Sequence, residues 1–565
     1  MTQTRWWPVD RAMVGAAVVG LALVSSCGAP GSLDAGAAGG TATAGGTATA
    51  GGTATAGGTA TAGGTATAGG TATAGGTATA GGTATAGGTA TAGGTATAGG
   101  TASDAGTTDA GARDAGSTDA GTPDGGCTAP DLDGKLRCIP GLTFTSTPNS
   151  GFPGYVRYDL TFRQPVDHFR PDAGTFNQRL FMLARGLTDP MVLAATGYSL
   201  STRRSDLTRV YAANQLTYEF RYFPPSRPTG PIDWSTNTVR QGAEDAHRLV
   251  QAFKPIFTAS WVGTGISKGG MTSVYHRRFY PNDVDATVAM VTPVNDSRVD
   301  PRSIPFLRSV GGATWATCRQ ALLDFQRRSL MMTAAIQPLM PGNYTRLGKP
   351  IALEHAVIEA GFSFWQYTLP ADPSFGCSRI PLATATAQQH ADFIDTHAGW
   401  SNFTDSVIAT YDSFYVSSAL ELGGPAPDDA LLAPLVTQPG TYTYDDARYM
   451  PAGFTGTYDA GTQSDVTQWV AAQSERMMFI YGELDPWSAG QYAPNASRDN
   501  LVLTVPGGNH NVRIADLPLT TQSLAWNTLD RWLNATAVPT RASFWLGPPP
   551  EDVEEIPEAR RRQRR

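Results

Sequence analysis

Apolar positions divide the chain into stretches of different kinds. A short apolar run, Ala12 to Val24, lies near the amino terminus, and large apolar side chains are absent from Gly39 to Gly126. From about Cys127 to Trp545, apolar runs recur with the lengths and spacings of strands and helices. The pattern therefore predicts one large globular part behind a low-complexity segment.

Four short apolar runs in the globular part predict buried strands. They are Met191 to Ala195, Ser260 to Gly263, Met477 to Tyr481 and Leu501 to Val505. The stretch Gly269 to Tyr280 predicts a helix that Pro281 ends. Strands that alternate with helices are typical of an α/β protein with a mostly parallel sheet.

A serine stands at the predicted turn between the second of these strands and the helix. Ser267 is the centre of Gly265-Ile266-Ser267-Lys268-Gly269, a G-x-S-x-G pattern. A serine exposed on so sharp a turn needs small residues two positions to either side, so that the turn can close. The context predicts a nucleophile elbow, with Ser267 as the nucleophile.

Two further residues follow predicted strands. Asp485 comes after Met477 to Tyr481, and His510 comes after Leu501 to Val505. Because open α/β sheets carry their sites at the carboxyl ends of strands, we expect a triad there with Ser267. His510 would take the serine proton, and Asp485 would hold the correct imidazole tautomer. Each of the two residues alone is also compatible with a plain loop or turn residue.

The spacing of the predicted triad indicates an inserted domain. Ser267 and Asp485 are separated by 218 positions, more than the remaining strands of a minimal sheet require. Amphipathic patterns predict helices in this interval, at Thr317 to Met332, His355 to Tyr367 and Ala387 to Ala409. We expect an α/β-hydrolase fold with core segments 127–296 and 466–545 and a mainly helical cap over 297–465. Such a cap excludes long or folded chains and so favours an exopeptidase.

Several motifs resemble known peptidases. The segments Ser267-Lys268-Gly269-Gly270-Met271-Thr272 and Tyr275-His276-Arg277-Arg278-Phe279-Tyr280-Pro281 resemble the S37 (PS-10) peptidases, the prolyl tri/tetrapeptidyl aminopeptidase family. Residues 164–169, 175–179, 219–222 and 364–367 also resemble the related S28 prolyl carboxypeptidases and dipeptidyl peptidases. The S28 segment Glu-His-Arg-Tyr-Tyr-Gly reads Glu219-Phe220-Arg221-Tyr222-Phe223-Pro224 here, which favours S37.

The resemblance implies a serine exopeptidase that releases tri- or tetrapeptides from amino termini, with proline before the cut bond, through an acyl-enzyme on Ser267. Two alternatives remain at this point: an esterase or lipase with the same triad, and an inactive surface protein. The expected partners are peptide substrates. We expect neither a cofactor nor a metal, since no Cys/His spacing fits a zinc site and no glycine loop fits a phosphate cradle.

The oxyanion hole of this fold takes its donors from two places. One is the backbone N–H of Lys268, the residue after the nucleophile. Because Lys268 contributes through its backbone, its side chain is expected to lie in solvent. The other is a backbone N–H in the loop after Met191 to Ala195, either Gly197 or Tyr198. We favour Tyr198; a core tyrosine is the alternative.

Four further residues are candidates for substrate binding. Glu219 follows a predicted strand and is a candidate partner for the substrate ammonium, because a buried ammonium must be paired. A structural ion pair of Glu219 with Arg179 or Arg221 is the alternative. Trp365, Tyr367 and Trp487 are candidates for a proline pocket, and all three are equally compatible with a core position.

The amino-terminal region predicts export. The run Ala12 to Val24 is too short to span a membrane and fits a signal peptide over 1–26. Small residues before Cys27 resemble a lipobox, in which the cysteine is lipidated; the alternative is a secretory signal with an incidental cysteine. Residues 27–126 are expected to be a disordered tether. We therefore expect attachment to the bacterial cell envelope through a lipid anchor only, or secretion.

The cysteines and the charge complete the picture. With Cys27 lipidated, four cysteines allow three pairings, and we expect Cys127 with Cys138, which is local, and Cys318 with Cys377, both in the cap. The net charge of −7 gives no reason to expect nucleic acid. The basic run 560–565 is expected to be solvated, in a disordered tail over 546–565. The oligomeric state is left open.

The lipid anchor yields a first prediction. Cys27→Ser removes the only atom that the anchor could modify, so the variant should move from the detergent phase to the aqueous phase in Triton X-114 partitioning. Peptidase activity serves as the readout in both phases. Equal partitioning of the variant and the wild-type protein would contradict the anchor.

Overall fold

The computed structural model describes residues 129–148, 151–440 and 446–534, together with short strands within 42–104. The chain divides into two compact units, one comprising Val24–Gly126 and the other the rest of the chain. The second unit contains the globular part.

Within these ranges, nine strands of the globular part form one sheet in the order β1-β2-β3-β5-β4-β6-β7-β10-β11. They are β1 (Leu142–Thr147), β2 (Val156–Pro165), β3 (Thr175–Ala184), β4 (Met191–Ala195), β5 (Asn214–Tyr218), β6 (Trp261–Ile266), β7 (Ala286–Met290), β10 (Met477–Gly482) and β11 (Leu501–Val505). A separate parallel pair is formed by β8 (Val299–Asp300) and β9 (Gly424–Pro425).

The strand directions identify the fold. The first three strands are antiparallel to their neighbours, whereas β5, β4, β6, β7, β10 and β11 run parallel to one another. The exchange of β4 and β5 in the order places β4 next to β6. This is the mostly parallel sheet of an α/β hydrolase, so the predicted fold class is confirmed.

Thirteen α-helices lie within the described ranges. They are α1 (Leu132–Arg137), α2 (Asp206–Val210), α3 (Val239–Phe253), α4 (Lys268–Phe279), α5 (Ser303–Ser309), α6 (Ala316–Met331), α7 (Thr333–Ile336), α8 (Lys349–Tyr367), α9 (Ala387–His397), α10 (Asp405–Thr410), α11 (Asp412–Ser417), α12 (Ala460–Ala472) and α13 (Leu519–Leu533). A π-helix, Ser418–Leu422, continues α11.

Helices cover both faces of the sheet. One face packs against α3, α4 and α12, and the other packs against α2 and α13. Every residue of β7 and β10 is therefore buried. Double burial explains the continuous apolar run Met477 to Tyr481 by which the sequence predicts β10. Strand β7 was not among the predicted strands, and Thr287 interrupts its apolar residues.

A helical cap is inserted between β7 and α12. It contains helices α5 to α11 and has its own apolar core, to which Phe325, Leu353 and Phe393 belong. Cys318 on α6 and Cys377 form a disulfide, the pairing expected from their shared place in the cap. The described side chain of Cys138 is also disulfide-bonded, while its expected partner Cys127 lies outside the described residues.

The predicted cap helices differ from the observed ones mainly at their ends. Helix α6 matches its prediction closely, and α8 begins earlier, at Lys349. The third predicted helix is divided, because α9 ends at His397 and α10 begins at Asp405. The expected cap boundary at 465 falls inside α12. That helix is bonded to α4, through Tyr275 with Gln463 and through Arg278 with Asp465, so the insertion ends before it.

The unit Val24–Gly126 contains the Gly-Gly-Thr-Ala-Thr-Ala repeats. Short strands of the repeats pair in parallel with the strand three places along, for example Ala42–Gly45 with Ala60–Gly63. Because the repeats are identical and pair in register, their backbone groups can bond to one another without any large apolar side chain. The paired strands differ from the disorder that was predicted from composition. For the parts of 27–126 outside these strands, disorder stays a prediction.

Other predictions made from the sequence concern segments beyond the described ranges. These segments are the signal peptide over 1–26, the lipidation site Cys27 and the tail over 546–565. Among the residues that are described, no helix combines the length and apolarity needed to cross a membrane.

Candidate active site

Ser267 occupies a strained turn between β6 and α4. Its backbone has φ 56° and ψ −126°, a conformation that side-chain-bearing residues rarely adopt. The turn is closely packed, because a Cβ on Gly265 would lie 2.1 Å from the carbonyl oxygen of Gly269. The Ser267 N–H donates to the carbonyl of Met290 on β7 at 2.9 Å. These contacts hold the hydroxyl at the carboxyl edge of the sheet, as the elbow predicts.

The loop after β4 lies against this turn. Gly197 has φ +72°, and a Cβ at this position would lie 2.4 Å from the backbone nitrogen of Gly269. Only glycine fits so close an approach. The loop that was expected to supply an oxyanion donor is therefore in contact with the first turn of α4.

Asp485 and His510 are in direct contact at the same edge. Oδ2 of Asp485 lies 2.6 Å from Nδ1 of His510, and Oδ1 accepts the N–H of Trp487 at 3.1 Å. Both side chains are buried, Asp485 completely. Nε2 of His510 has no hydrogen-bond partner among the described residues. With Nδ1 held by the carboxylate, Nε2 is the atom that can accept a proton.

Glu483 is not a second partner of the histidine. Its side chain is exposed, and its Oε2 accepts the N–H of Gly507 at 2.7 Å. The loop therefore brings one carboxylate to His510, that of Asp485.

Tyr198 reaches Ser267 through its side chain. Its backbone N–H points to Oγ1 of Thr196 at 3.3 Å, whereas its side chain is the part of the residue that interacts with the side chain of Ser267. Burial raises the pKa of Tyr198 well above its ordinary value, so the phenol keeps its proton. The residue predicted as a backbone donor thus presents an O–H donor beside the nucleophile.

The side chain of Lys268 is buried, against the expectation that it lies in solvent. Its Nζ donates to the carbonyl of Gly197 at 2.8 Å and lies 3.2 Å from the ring centroid of Phe220. Burial lowers the pKa of Lys268 well below its ordinary value. The Lys268 amino group links the start of α4 to the loop after β4 through its bond to Gly197. The backbone N–H of Lys268 is one of the first N–H groups of α4, which have no partner within the helix.

The comparisons with known proteins agree with this geometry. A family model described as PS-10 peptidase S37 matches residues 126–561. The chain belongs to the S37 family of serine peptidases. The resemblance seen in the motifs is thereby confirmed. Membership of this family favours a serine peptidase over the two alternatives, an esterase or lipase and an inactive surface protein.

This S37 peptidase is similar to a curated protein and, more distantly, to solved structures. A prolyl tri/tetrapeptidyl aminopeptidase from Streptomyces mobaraensis is 36% identical over 422 residues, which cover 72% of this chain and 86% of that protein. The proline iminopeptidase of Mycobacterium smegmatis has 13% identity and a TM-score of 0.34, covering 69% of this chain and 99% of that chain. A 2-hydroxy-6-oxo-6-phenylhexa-2,4-dienoate hydrolase from Rhodococcus sp. strain RHA1 has 11% identity and a TM-score of 0.29, covering 70% and 100%.

Glu219 is occupied by structural partners in this S37 peptidase. Its Oε2 accepts from Nε of Arg179 at 3.0 Å and from Ser226 at 2.5 Å. Its Oε1 accepts from Arg179 and from the Leu200 N–H. The side chain is completely buried. Glu219 therefore forms the structural ion pair that was the alternative to binding the substrate ammonium. Its partner in this pair is Arg179, because Arg221 is paired with Asp245.

The two tryptophans predicted for a proline pocket have different surroundings. Trp365 is 2% exposed and packs against Phe364 in the core of the cap, which contradicts a contact with substrate. Trp487 is half-buried, with its ring centroid 6.4 Å from that of His510. Trp487, two residues after Asp485 in the chain, is therefore the tryptophan that lies at the site.

Helix α8 contacts the histidine through Gln366, which the sequence reasoning missed, and through Tyr367, which was predicted for the proline pocket. The backbone carbonyl of Gln366 accepts the N–H of His510 at 2.8 Å, and the ring of Tyr367 lies 5.8 Å from the imidazole. Both residues belong to the segment 364–367, which resembles the S28 peptidases. That resemblance was the one feature of the sequence that could have indicated a place at the active site. The cap therefore touches the histidine directly.

Other parts of the described molecule do not present a second site of this kind. Within the described ranges, no group of three or more His, Cys, Asp or Glu side chains could hold a metal ion. A cavity of about 790 Å³ is lined by Pro190, Ser260, Asp285 and Arg476. Each of these residues immediately precedes a strand, so this cavity lies at the opposite edge of the sheet from Ser267.

The environment of Glu219 generates a second prediction. Glu219→Gln replaces one carboxylate oxygen by an amide NH₂ group, which cannot accept hydrogen bonds from Arg179 or from the Leu200 N–H. The substitution should therefore lower the free energy of unfolding by about 2–3 kcal/mol. Denaturant unfolding measures the loss. As a control, Glu475→Gln breaks a solvent-exposed pair with Arg498 and should cost less than about 1 kcal/mol. Equal costs for the two variants would contradict the structural role of Glu219.

Proposed function

We propose that the protein is an exported serine exopeptidase that releases tri- or tetrapeptides from the amino termini of peptides, with proline before the cut bond. The observation that carries the proposal is the Asp485–His510 pair at the same sheet edge as the Ser267 elbow, in a chain 36% identical to a prolyl tri/tetrapeptidyl aminopeptidase. Export and a lipid anchor at Cys27 are part of the proposal and rest on the amino-terminal sequence.

In the proposed mechanism, Ser267 is the nucleophile. Nε2 of His510 takes the hydroxyl proton as Oγ bonds to the carbonyl carbon of the substrate, and Asp485 stabilises the imidazolium that forms. The same proton passes to the leaving amine when the C–N bond breaks, which leaves an acyl-enzyme. Water, deprotonated by His510, then hydrolyses the ester and restores the Ser267 hydroxyl.

Two donors are proposed for the oxyanion of the tetrahedral intermediate. The first is the backbone N–H of Lys268, at the start of α4, where the helix dipole also favours negative charge. The second is the hydroxyl of Tyr198 in place of its N–H, because the hydroxyl is the group of that residue beside Ser267. The amino group of the Lys268 side chain positions this loop through its bond to the Gly197 carbonyl.

The cap supports the choice of exopeptidase. It covers the sheet edge closely enough for α8 to bond to His510, and the ring of Trp487 offers an apolar surface next to the imidazole for a proline ring. A site covered in this way favours the free end of a chain over a loop of a folded protein.

The triad gives a third prediction. Ser267→Ala, His510→Ala and Asp485→Asn should each reduce kcat by roughly 10⁴-fold or more. Circular dichroism should show a folded protein in each case. Turnover of an Ala-Ala-Pro-anilide measures the loss, and near-normal turnover by a folded His510→Ala protein would remove it as the base.

A fourth prediction concerns the free amino terminus. N-acetylation of Ala-Ala-Pro-anilide removes the ammonium and leaves its acceptor in the site without a partner, a cost of about 1–3 kcal/mol. The acetylated substrate should therefore be cleaved at least roughly tenfold more slowly, measured as kcat/KM. A p-nitrophenyl acyl ester serves as the comparison for esterase activity. Equal rates on the two anilides, or internal cleavage of a folded protein, would point to an endopeptidase.

A further inference from the structure

One face of helix α8 carries a row of polar side chains that ends at His510. Glu359, Ser363 and Gln366 are spaced by four and three residues, so they share a face of the helix. All three are buried, and the backbone carbonyl of Gln366 accepts the His510 N–H. The row therefore leads from the catalytic histidine into the cap.

Glu359 is the only carboxyl of this row. It is 2% exposed, and its Oε1 accepts the hydroxyl of Ser363 at 2.5 Å. Its Oε2 has no hydrogen-bond partner among the residues that the structure describes. Burial raises the pKa of Glu359 well above its ordinary value. A buried carboxyl oxygen without a partner is costly, so a functional explanation is needed.

Other polar atoms in the same part of the molecule lack partners too. Within the described ranges, Oε1 of Gln366, Nε1 of Trp487 and Nε2 of His510 are all buried without a hydrogen-bond partner. Donors and acceptors of this kind are what the backbone of an extended peptide can satisfy. Together with Oε2 of Glu359, they extend from the catalytic histidine along α8.

Aromatic side chains connect Ser267 to the surroundings of Glu359. The Tyr198 ring, beside Ser267, lies 5.7 Å from that of Phe414, which lies 5.4 Å from that of Tyr415. The ring of Tyr415 lies 4.9 Å from that of Tyr449, which in turn stacks on His355, one turn of α8 before Glu359. Glu359 therefore lies close to the aromatic wall that begins at the nucleophile, and such rings favour a cation.

The helix fixes how far Glu359 is from the histidine. Seven residues separate Glu359 from Gln366, which corresponds to about 10 Å along the helix axis. Three residues of an extended peptide also span about 10 Å. A tripeptide bound along α8 with its scissile carbonyl level with Gln366, the residue bonded to the triad histidine, thus has its amino terminus at the height of Glu359.

We propose that Glu359 binds the α-ammonium group of the substrate, and that its position on α8 selects cleavage after the third residue. This inference rests on the proposed exopeptidase function and names the residue that reads the free amino terminus. No other described residue of α8 offers a carboxyl with an unpartnered oxygen: the second buried glutamate of the helix, Glu354, accepts the N–H and hydroxyl of Thr437.

Glu359→Gln and the matched control Glu354→Gln test the proposal. The measurement is the ratio of kcat/KM on Ala-Ala-Pro-anilide to that on its N-acetyl form. In Glu359→Gln we expect the ratio to fall from at least tenfold to within about twofold of unity, mainly through a higher KM on the free-amine substrate. Glu354→Gln should keep the wild-type ratio. Fluorophosphonate labelling of Ser267 checks that both variants are folded.

The outcomes separate this inference from the proposed function. A folded Glu359→Gln enzyme that keeps the wild-type ratio overturns the role of Glu359. A wild-type enzyme with no preference for the free amine contradicts the exopeptidase function itself.

A second measurement needs no variant. Wild-type kcat/KM on free-amine anilides of two, three, four and five residues, each ending in proline, should be highest at three. A maximum at any other length, or a steady rise with length, overturns the spacing argument.

Discussion

The close packing around Ser267 is the constraint on which the site depends. Its positive φ is tolerated because Gly265 and Gly197 remove the atoms that would collide with the first turn of α4. The same contacts bring the loop after β4 against the nucleophile, where Lys268 holds it through the Gly197 carbonyl. Local strain is thus offset by packing from three separate segments, and the reactive hydroxyl is placed before any substrate arrives.

A second group of buried charges supports the region next to this loop. Arg221, which is completely buried, donates to both oxygens of Asp245, and His168 contacts the same carboxylate at 2.7 Å. Arg221 follows β5, Asp245 lies on α3 and His168 follows β2, so one network ties three elements together. The conspicuous charged residues of the motif segments 164–169 and 219–222 are therefore structural, Glu219 included.

The sequence predicts well what a single strand or turn specifies. Strands β4 and β11 have the predicted ends, because their residues are apolar runs closed by glycine or proline. Asp485 and His510 were found because each follows such a run. The place of a side chain in three dimensions was harder to predict: the burial of Lys268 depends on Phe220 and Gly197, which are distant in the chain. Glu359 gave no signal at all, since a glutamate within a helix ordinarily faces solvent.

The bond between Gln366 and His510 has a mechanical consequence. The N–H of the histidine is held by a carbonyl of the cap, so the general base is shared between two parts of the fold rather than belonging to the sheet alone. Lifting α8 away from the sheet breaks that bond and disturbs the imidazole in the same movement. The alignment of the base therefore depends on the cap as well as on the sheet, so a compound that displaced α8 would inactivate the peptidase without touching its serine.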